Sequence, residues 1–261
     1  IGFFIFVIMF CMGLTTTPER LKESLFNIRG IVIFLCLSFG LAPILSWILG
    51  RIFFPPTHGL FVGCILVGCT STTISSAIVY TRLSSGNNAL SLILSNIGNL
   101  AGVFLTPFLI FIFLGKGIKI PVVPMIINLT VLVLLPVILA QVLRRFFTIL
   151  SKMEGFAIAI SQLGVLTIVF GSVGKSKDLI QFSLLFKLVL ISIILYLLIL
   201  RFSLWFSLRC KFTRADSIAI GFASSQKTLA STILLAHKFF IPLASLPIIA
   251  YHITQMLLGS W

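Results

Sequence analysis

Acidic side chains are scarce: Glu19, Glu23, Glu154, Asp178 and Asp216 are the five in 261 residues, against 19 lysines and arginines. All five fall in polar joints or at the margins of apolar runs. No paired carboxylates, HExxH motif or Ser/His/Asp set can therefore be assembled within the apolar segments, and no enzymatic activity is expected. The five cysteines, Cys11, Cys36, Cys64, Cys69 and Cys210, show no CxxC or Cys/His metal spacing and read as small hydrophobes, so no cofactor is expected. Charged residues make up only 9%, and the basic ones are spread through short joints rather than gathered on one face. The net charge of +14 therefore does not point to nucleic acid.

What is abundant is apolar surface. Hydrophobic residues make up 59% of the chain, mean hydropathy is +1.22, and apolar runs of membrane-spanning length recur. The expected partner is a lipid bilayer and the expected class an all-α polytopic membrane protein. Hydropathy gives nine segments: Ile1 to Leu14, Gly30 to Gly50, Gly59 to Tyr80, Asn88 to Gly115, Pro121 to Leu143, Gly155 to Gly171, Leu179 to Phe206, Ala215 to Ala236 and Ile241 to Trp261. The opening run lacks a basic flank and a small-residue cleavage site, so it reads as the tail of a spanning helix. Pro18 to Glu23 reads as a short surface helix.

Basic residues fix an orientation. Arg20, Lys22, Arg29, Arg82, Arg144, Arg145, Lys152, Arg201, Arg209, Lys211 and Arg214 fall toward one side, and the shorter set Arg51, Lys116, Lys119, Lys175, Lys177 and Lys238 toward the other. The positive-inside rule makes the first side cytoplasmic and puts the C-terminus there. Few acids and many lysines point to a bacterial inner membrane.

Two apolar segments are interrupted by polar residues. In the eighth, Ser224-Ser225-Gln226-Lys227-Thr228 puts a lysine 11 residues from both Asp216 and Lys238. At about 1.5 Å per residue that is roughly 16 Å from either end, so the ammonium must find partners inside the protein. Lys187, nearer its segment's end, reads as snorkelling or making a helix contact. In the third segment, Thr70 to Ser76 carries six hydroxyls in seven positions. This predicts a helix break beside a cavity.

The two interruptions lie five segments apart. An odd offset makes the second copy antiparallel to the first, the signature of an inverted five-plus-five repeat whose broken helices build a site near the midplane. Such a repeat has ten helices, of which nine are visible in this chain. After the first interruption, Ser91, Ser95 and Asn99 share a helical face turned toward the break. In the last segment Tyr251, His252 and Gln255 lie on one side, and an interhelical hydrogen bond is expected for His252. Neutral oxygens, freed backbone, half-helix N-termini and one ammonium favour an anion.

The chain resembles the bile acid:sodium symporter family in several stretches that occur in order along it. These are Phe10 to Pro18 (FCMGLTTTP), Val67-Gly68-Cys69 through Val79, Gly86 to Ala89, Leu105-Thr106-Pro107, Ser225 to Ala230 (SQKTLA), and Tyr251-His252 with Gln255 and Leu258-Gly259. The resemblance implies a panel domain (1–28 and 121–172), a core domain (30–118 and 178–261) containing two crossing broken helices, and alternating access for a small organic anion. It also implies ion ligation at Ser75, Ser76, Ser91, Ser95 and Gln226, with sodium as the possible ion. Lys227, Ser224, Ser225, Thr228, Asn99 and His252 are left to substrate binding or coupling. The family carries a glutamate shortly before the glutamine, whereas here Gly221 to Ser225 contain no acid. The resemblance implies coupling to sodium; that departure, together with Lys227, sets coupling to protons or no coupling beside it. The competing expectation is a non-transporting regulatory or scaffold protein of the same fold.

Overall fold

The computed structural model describes residues 2–14, 28–115, 119–147, 154–175 and 182–260. The surface helix expected over Pro18 to Glu23 lies outside them. The described chain is almost entirely helical, its one β element an isolated bridge. This agrees with an all-α polytopic membrane protein.

The helices are α1 (Gly2–Leu14), α2 (Ile28–Phe53), α3 (Gly59–Cys69), α4 (Ile74–Leu83), α5 (Asn88–Leu114), α6 (Val122–Phe146), α7 (Glu154–Lys175), α8 (Phe182–Arg209), α9 (Arg214–Ser225), α10 (Leu229–Phe239) and α11 (Ser245–Gly259). By length and composition α2, α5, α6 and α8 can each cross a membrane. The third and eighth sequence segments are each two helices, α3 with α4 and α9 with α10, separated by the polar residues that marked them.

Local chemistry sets the ends. The Asn87 side chain accepts from Leu90 N–H at 3.1 Å to cap α5, and Thr213 accepts from Asp216 N–H at 3.1 Å to cap α9. Ser85 and Lys211 take positive φ in the tight turns just before those caps. The two turns are tied together: Asn87 N–H donates to Ala215 C=O at 2.9 Å, and Asn87 Nδ2 donates to Asp216 Oδ1 at 2.8 Å.

Among the described residues, two helices carry a widened turn. In α2 the π turn Leu37–Leu41 returns Ala42 N–H to Leu37 C=O, five residues back. Pro43 follows and has no N–H, so the Ser38 carbonyl has no partner in its own helix. The same grammar recurs in α6, where Leu135 N–H returns to Thr130 C=O and Pro136 follows.

α2, α3, α4, α5, α8, α9, α10 and α11 pack on one another, with α2 against α3, α8 against α9 and α11, α11 against α3, and α4 and α9 against α5. α1 packs chiefly on α6 and α7. Its Gly13 lets the backbones meet: a Cβ there would stand 2.8 Å from Ala140 Cβ and 2.9 Å from Val137 Cα. Arg144 and Gln141 of α6 donate to the last carbonyls of α1, Leu14 and Gly13. Large apolar side chains such as Phe104, Phe108 and Phe111 on α5, Ile138 on α6 and Phe170 on α7 face outward, as a lipid-facing surface requires.

Candidate functional site

The two interrupted segments meet at their breaks. α3 ends with Thr70 extended and α4 begins after Thr73; α9 ends with Gln226 extended and α10 begins after Thr228. Between them Thr72 and Lys227 form an antiparallel bridge. Thr73 N–H donates to Gln226 C=O at 3.1 Å, Thr228 N–H to Ser71 C=O at 3.0 Å, and Thr72 Oγ1 to Gln226 C=O at 2.6 Å. Backbone freed at one break is thus satisfied by the other, which makes extended chain tolerable at membrane depth.

Gln255 of α11 completes this bridge. Its Oε1 accepts from Lys227 N–H at 2.7 Å and its Nε2 donates to Lys227 C=O at 2.8 Å. The side-chain amide therefore does for Lys227 what a third strand would do. The Gln255 Nε2 also lies 3.0 Å from His252 Nδ1. The hydrogen bond of His252 is thus within its own helix, three residues along, rather than the interhelical bond expected for it.

Lys227 is 3% exposed, and its ammonium has one oxygen for each of its three protons. Nζ donates to Ser38 C=O at 2.8 Å, Ser38 Oγ at 3.0 Å and Thr70 C=O at 3.1 Å. The Phe39 ring lies 5.7 Å away. Both carbonyls are freed by local structure: Ser38 by the π turn and Pro43, Thr70 by the end of α3. Thr70 is also the negative end of a helix dipole, a favourable place for a cation. No carboxylate is among these contacts.

Gln226 is equally committed. Its Oε1 accepts from Ser76 Oγ at 3.0 Å, and its Nε2 donates to Tyr196 Oη at 3.2 Å and to Gln255 C=O at 3.4 Å. Ser91 accepts from Thr81 Oγ1 at 3.1 Å. Ser95 and Ser224 are fully buried, with hydroxyls that meet no protein partner among the described residues. Ser75, in the first turn of α4, is half-buried. Ser225 Oγ donates back to Gly221 C=O at 2.9 Å, while its own carbonyl accepts from Tyr251 Oη at 2.8 Å. The Thr228 carbonyl accepts from Thr232 Oγ1. Asn99 reaches the first break as its helical face predicts, accepting from Ser71 Oγ at 2.7 Å.

The sequence-marked residues therefore divide. Ser76, Gln226, Lys227, Thr228 and, through Ser71, Asn99 converge on the crossing. Ser91 bonds the far turn of α4 instead. Ser38, Phe39, Tyr196 and the bridging role of Gln255 were not anticipated. The signal for Ser38 is Pro43, a proline inside an apolar segment that deprives a carbonyl of its donor.

Beside the crossing, a cleft of about 10 Å3 runs between Ser71, Asn99, Thr106 and Ser231 on one side and Leu129 and Val133 of α6 on the other. That is room for about one water. A second void of about 10 Å3 touches Thr70, Lys227, Thr232 and His252.

The sequence matches the model of the SBF-like CPA transporter family over residues 1–261. It is 28% identical over 268 residues to sodium/bile acid cotransporter 7 of Rattus norvegicus, covering 97% of this chain and 78% of the relative. With sodium/bile acid cotransporter 7-B of Xenopus laevis it shares 30% over 268 residues, with 97% and 78% covered. With the uncharacterized sodium-dependent transporter YocS of Bacillus subtilis (strain 168) it shares 29% over 264 residues, with 100% and 80% covered.

Proposed function

From the premise that the chain belongs to the SBF-like CPA transporter family, we propose that it is a secondary transporter of a small organic anion. In this reading α2 to α5 and α8 to α11 form the core and α1, α6 and α7 the panel. Alternating access arises from movement of one against the other. The protein would sit in a plasma membrane with its C-terminus on the cytoplasmic, more basic side.

One observation carries the anion: the crossing of the two broken helices joins two half-helix N-termini to a buried ammonium. Neither Thr73 nor Thr228 caps its helix through a side-chain hydrogen bond, so α4 and α10 both keep their positive ends at the crossing. An anionic group in the cleft lined by Ser71 and Asn99 would lie beside them. The cleft is shut to about one water in this conformation, so binding requires the panel to move.

We also propose that Lys227 takes the part of a coupling cation. Sodium dependence is named for the relatives. In this chain an ammonium already holds two carbonyls and a hydroxyl, the ligand types sodium uses, and the matched ligands Ser76 and Gln226 are bonded to each other. A second positive charge roughly 4 Å away would be repelled by ~4 kcal/mol at an effective dielectric of 20. Uptake is therefore not sodium-driven.

The sealed position of Lys227 favours one other reading, a regulatory or scaffold protein in which the lysine only fastens the crossing. Access separates the two. A lone cysteine at Asn99, in a chain otherwise free of cysteine, should react with impermeant thiol reagents from one membrane side in some molecules and from the other in others. Protection from both sides under all conditions would sink the transporter reading.

A further inference from the structure

Away from the crossing lies a cavity larger than either of the two beside it. It has a volume of about 400 Å3 and is lined by Phe53, Phe54, His58, Ser183, Lys187 and Leu243, among others. Every lining residue belongs to the end of a helix or to the turn beside it: the end of α2, the start of α3, the first turns of α8, and the 3-10 turn Pro242–Ala244 before α11. The cavity therefore opens where spanning helices reach one face of the membrane. One turn back on α2, Arg51 lies 5.9 Å from the Trp47 ring, a pairing suited to that interface.

The polar groups are all of one kind. Ser183 and Lys187 are one turn apart on the same face of α8. The His58 ring stacks on Phe54 with centroids 6.2 Å apart, and its Nδ1 accepts from Leu60 N–H at 3.3 Å, which leaves Nε2 as the proton-bearing donor. Among the described lining residues none is acidic. Lys187 is thus more than a snorkelling side chain: it is exposed beside a preformed cavity with a second donor across from it.

Exposed apolar residues adjoin the lining in sequence: Ile52 beside Phe53, Phe186 beside Lys187 and Ile241 before the Pro242–Ala244 turn are 67%, 66% and 51% exposed. A soluble anion would gain nothing from such surface, whereas an acyl chain would lie along it. We propose that this cavity binds the phosphate headgroup of an anionic phospholipid, with Lys187, Ser183 and the His58 Nε2–H as donors and the acyl chains against Ile52, Phe186 and Ile241. The site is independent of whether the crossing transports.

The test is native mass spectrometry of the full chain titrated with dioleoylphosphatidylglycerol, dioleoylphosphatidylcholine or glycerol 3-phosphate. One basic contact near a membrane surface gives about fivefold in affinity. Lys187→Gln should lose about that factor for phosphatidylglycerol, Ser183→Ala/Lys187→Gln more, and Lys187→Arg and the distant Arg82→Gln none. Unchanged melting temperatures in zwitterionic detergent would show that the variants fold; if Lys187→Gln does not, the Lys187→Arg and Ser183→Ala comparison stands in. Equal retention of phosphatidylcholine, or retention of phosphatidylglycerol that ignores Lys187, overturns the proposal. Lys187-dependent binding of glycerol 3-phosphate as tight as that of the lipid also overturns it, in favour of a soluble-anion site.

Discussion

Gln255 grips the backbone of Lys227 rather than its side chain, offering Oε1 to the lysine N–H at 2.7 Å and Nε2 to its carbonyl at 2.8 Å. The ammonium at the other end of the same residue is held by α2 and α3. A residue anchored at both ends in this way fixes how α9, α10 and α11 sit on the first broken helix.

Gln255→Leu leaves two buried backbone groups without partners, each costing about 1 to 3 kcal/mol. Gln255→Glu, protonated in this buried place, keeps an acceptor and an O–H donor, so its cost is smaller. Thermal melting of the purified protein in one detergent should rank the parent first, then Gln255→Glu, then Gln255→Leu. Equal melting temperatures would mean that the bridge needs no third strand.

Sodium gives the second prediction. The parent should melt at the same temperature in sodium, potassium and choline chloride, while Lys227→Ala should be stabilised by sodium alone. A ligand at a hundred times its Kd adds about 2.7 kcal/mol. Sodium that stabilises the parent and the variant alike would refute the idea that the ammonium stands in for the ion.

Pro43 gives a result opposite to ordinary helix propensity. Removing a proline from a helix interior normally helps by roughly 3 kcal/mol. Here Pro43→Ala supplies an N–H for the Ser38 carbonyl and takes that acceptor from Lys227, so much of the gain is lost. In a Lys227→Met background the competition vanishes and the full gain returns. A double-mutant cycle should show a coupling of about 0.5 to 3 kcal/mol between positions 43 and 227. Pro136→Ala, in the matching turn of α6, should show none.

Glycines in α1 and α7 should behave oppositely. Gly13→Ala forces a methyl to within 3 Å of Val137 Cα and Ala140 Cβ. That overpacking costs about 1 to 3 kcal/mol. Gly171→Ala meets nothing within 4 Å and should stabilise α7 by roughly 0.5 to 1 kcal/mol. Melting temperatures of the two variants on opposite sides of the parent are the expected readout.

Much of this arrangement was legible in the sequence because expense in a membrane is conspicuous. The hydroxyl run from Thr70 and the lysine after Gln226 fall at the two observed breaks, although no proline or glycine pair enforces either. The stripe of Ser91, Ser95 and Asn99 was legible from helical spacing, but only Asn99 meets the break. What spacing could not show was where the ammonium goes. Its acceptors lie 189 and 157 residues away in sequence, and two of the three are backbone carbonyls, which carry no residue-type signature. Pro43 was a visible clue only to someone counting unpaired carbonyls.

The oxygens around Lys227 are all neutral. If the chain works as proposed, a charged lysine there would give the empty core a net positive charge, and binding a monovalent anion would cancel it. Moving one charge through the whole field changes the energy by about 2.3 kcal/mol per 100 mV. The membrane potential would then act on the unloaded core and leave the loaded one nearly indifferent, so voltage would set the rate of the empty return rather than that of substrate translocation.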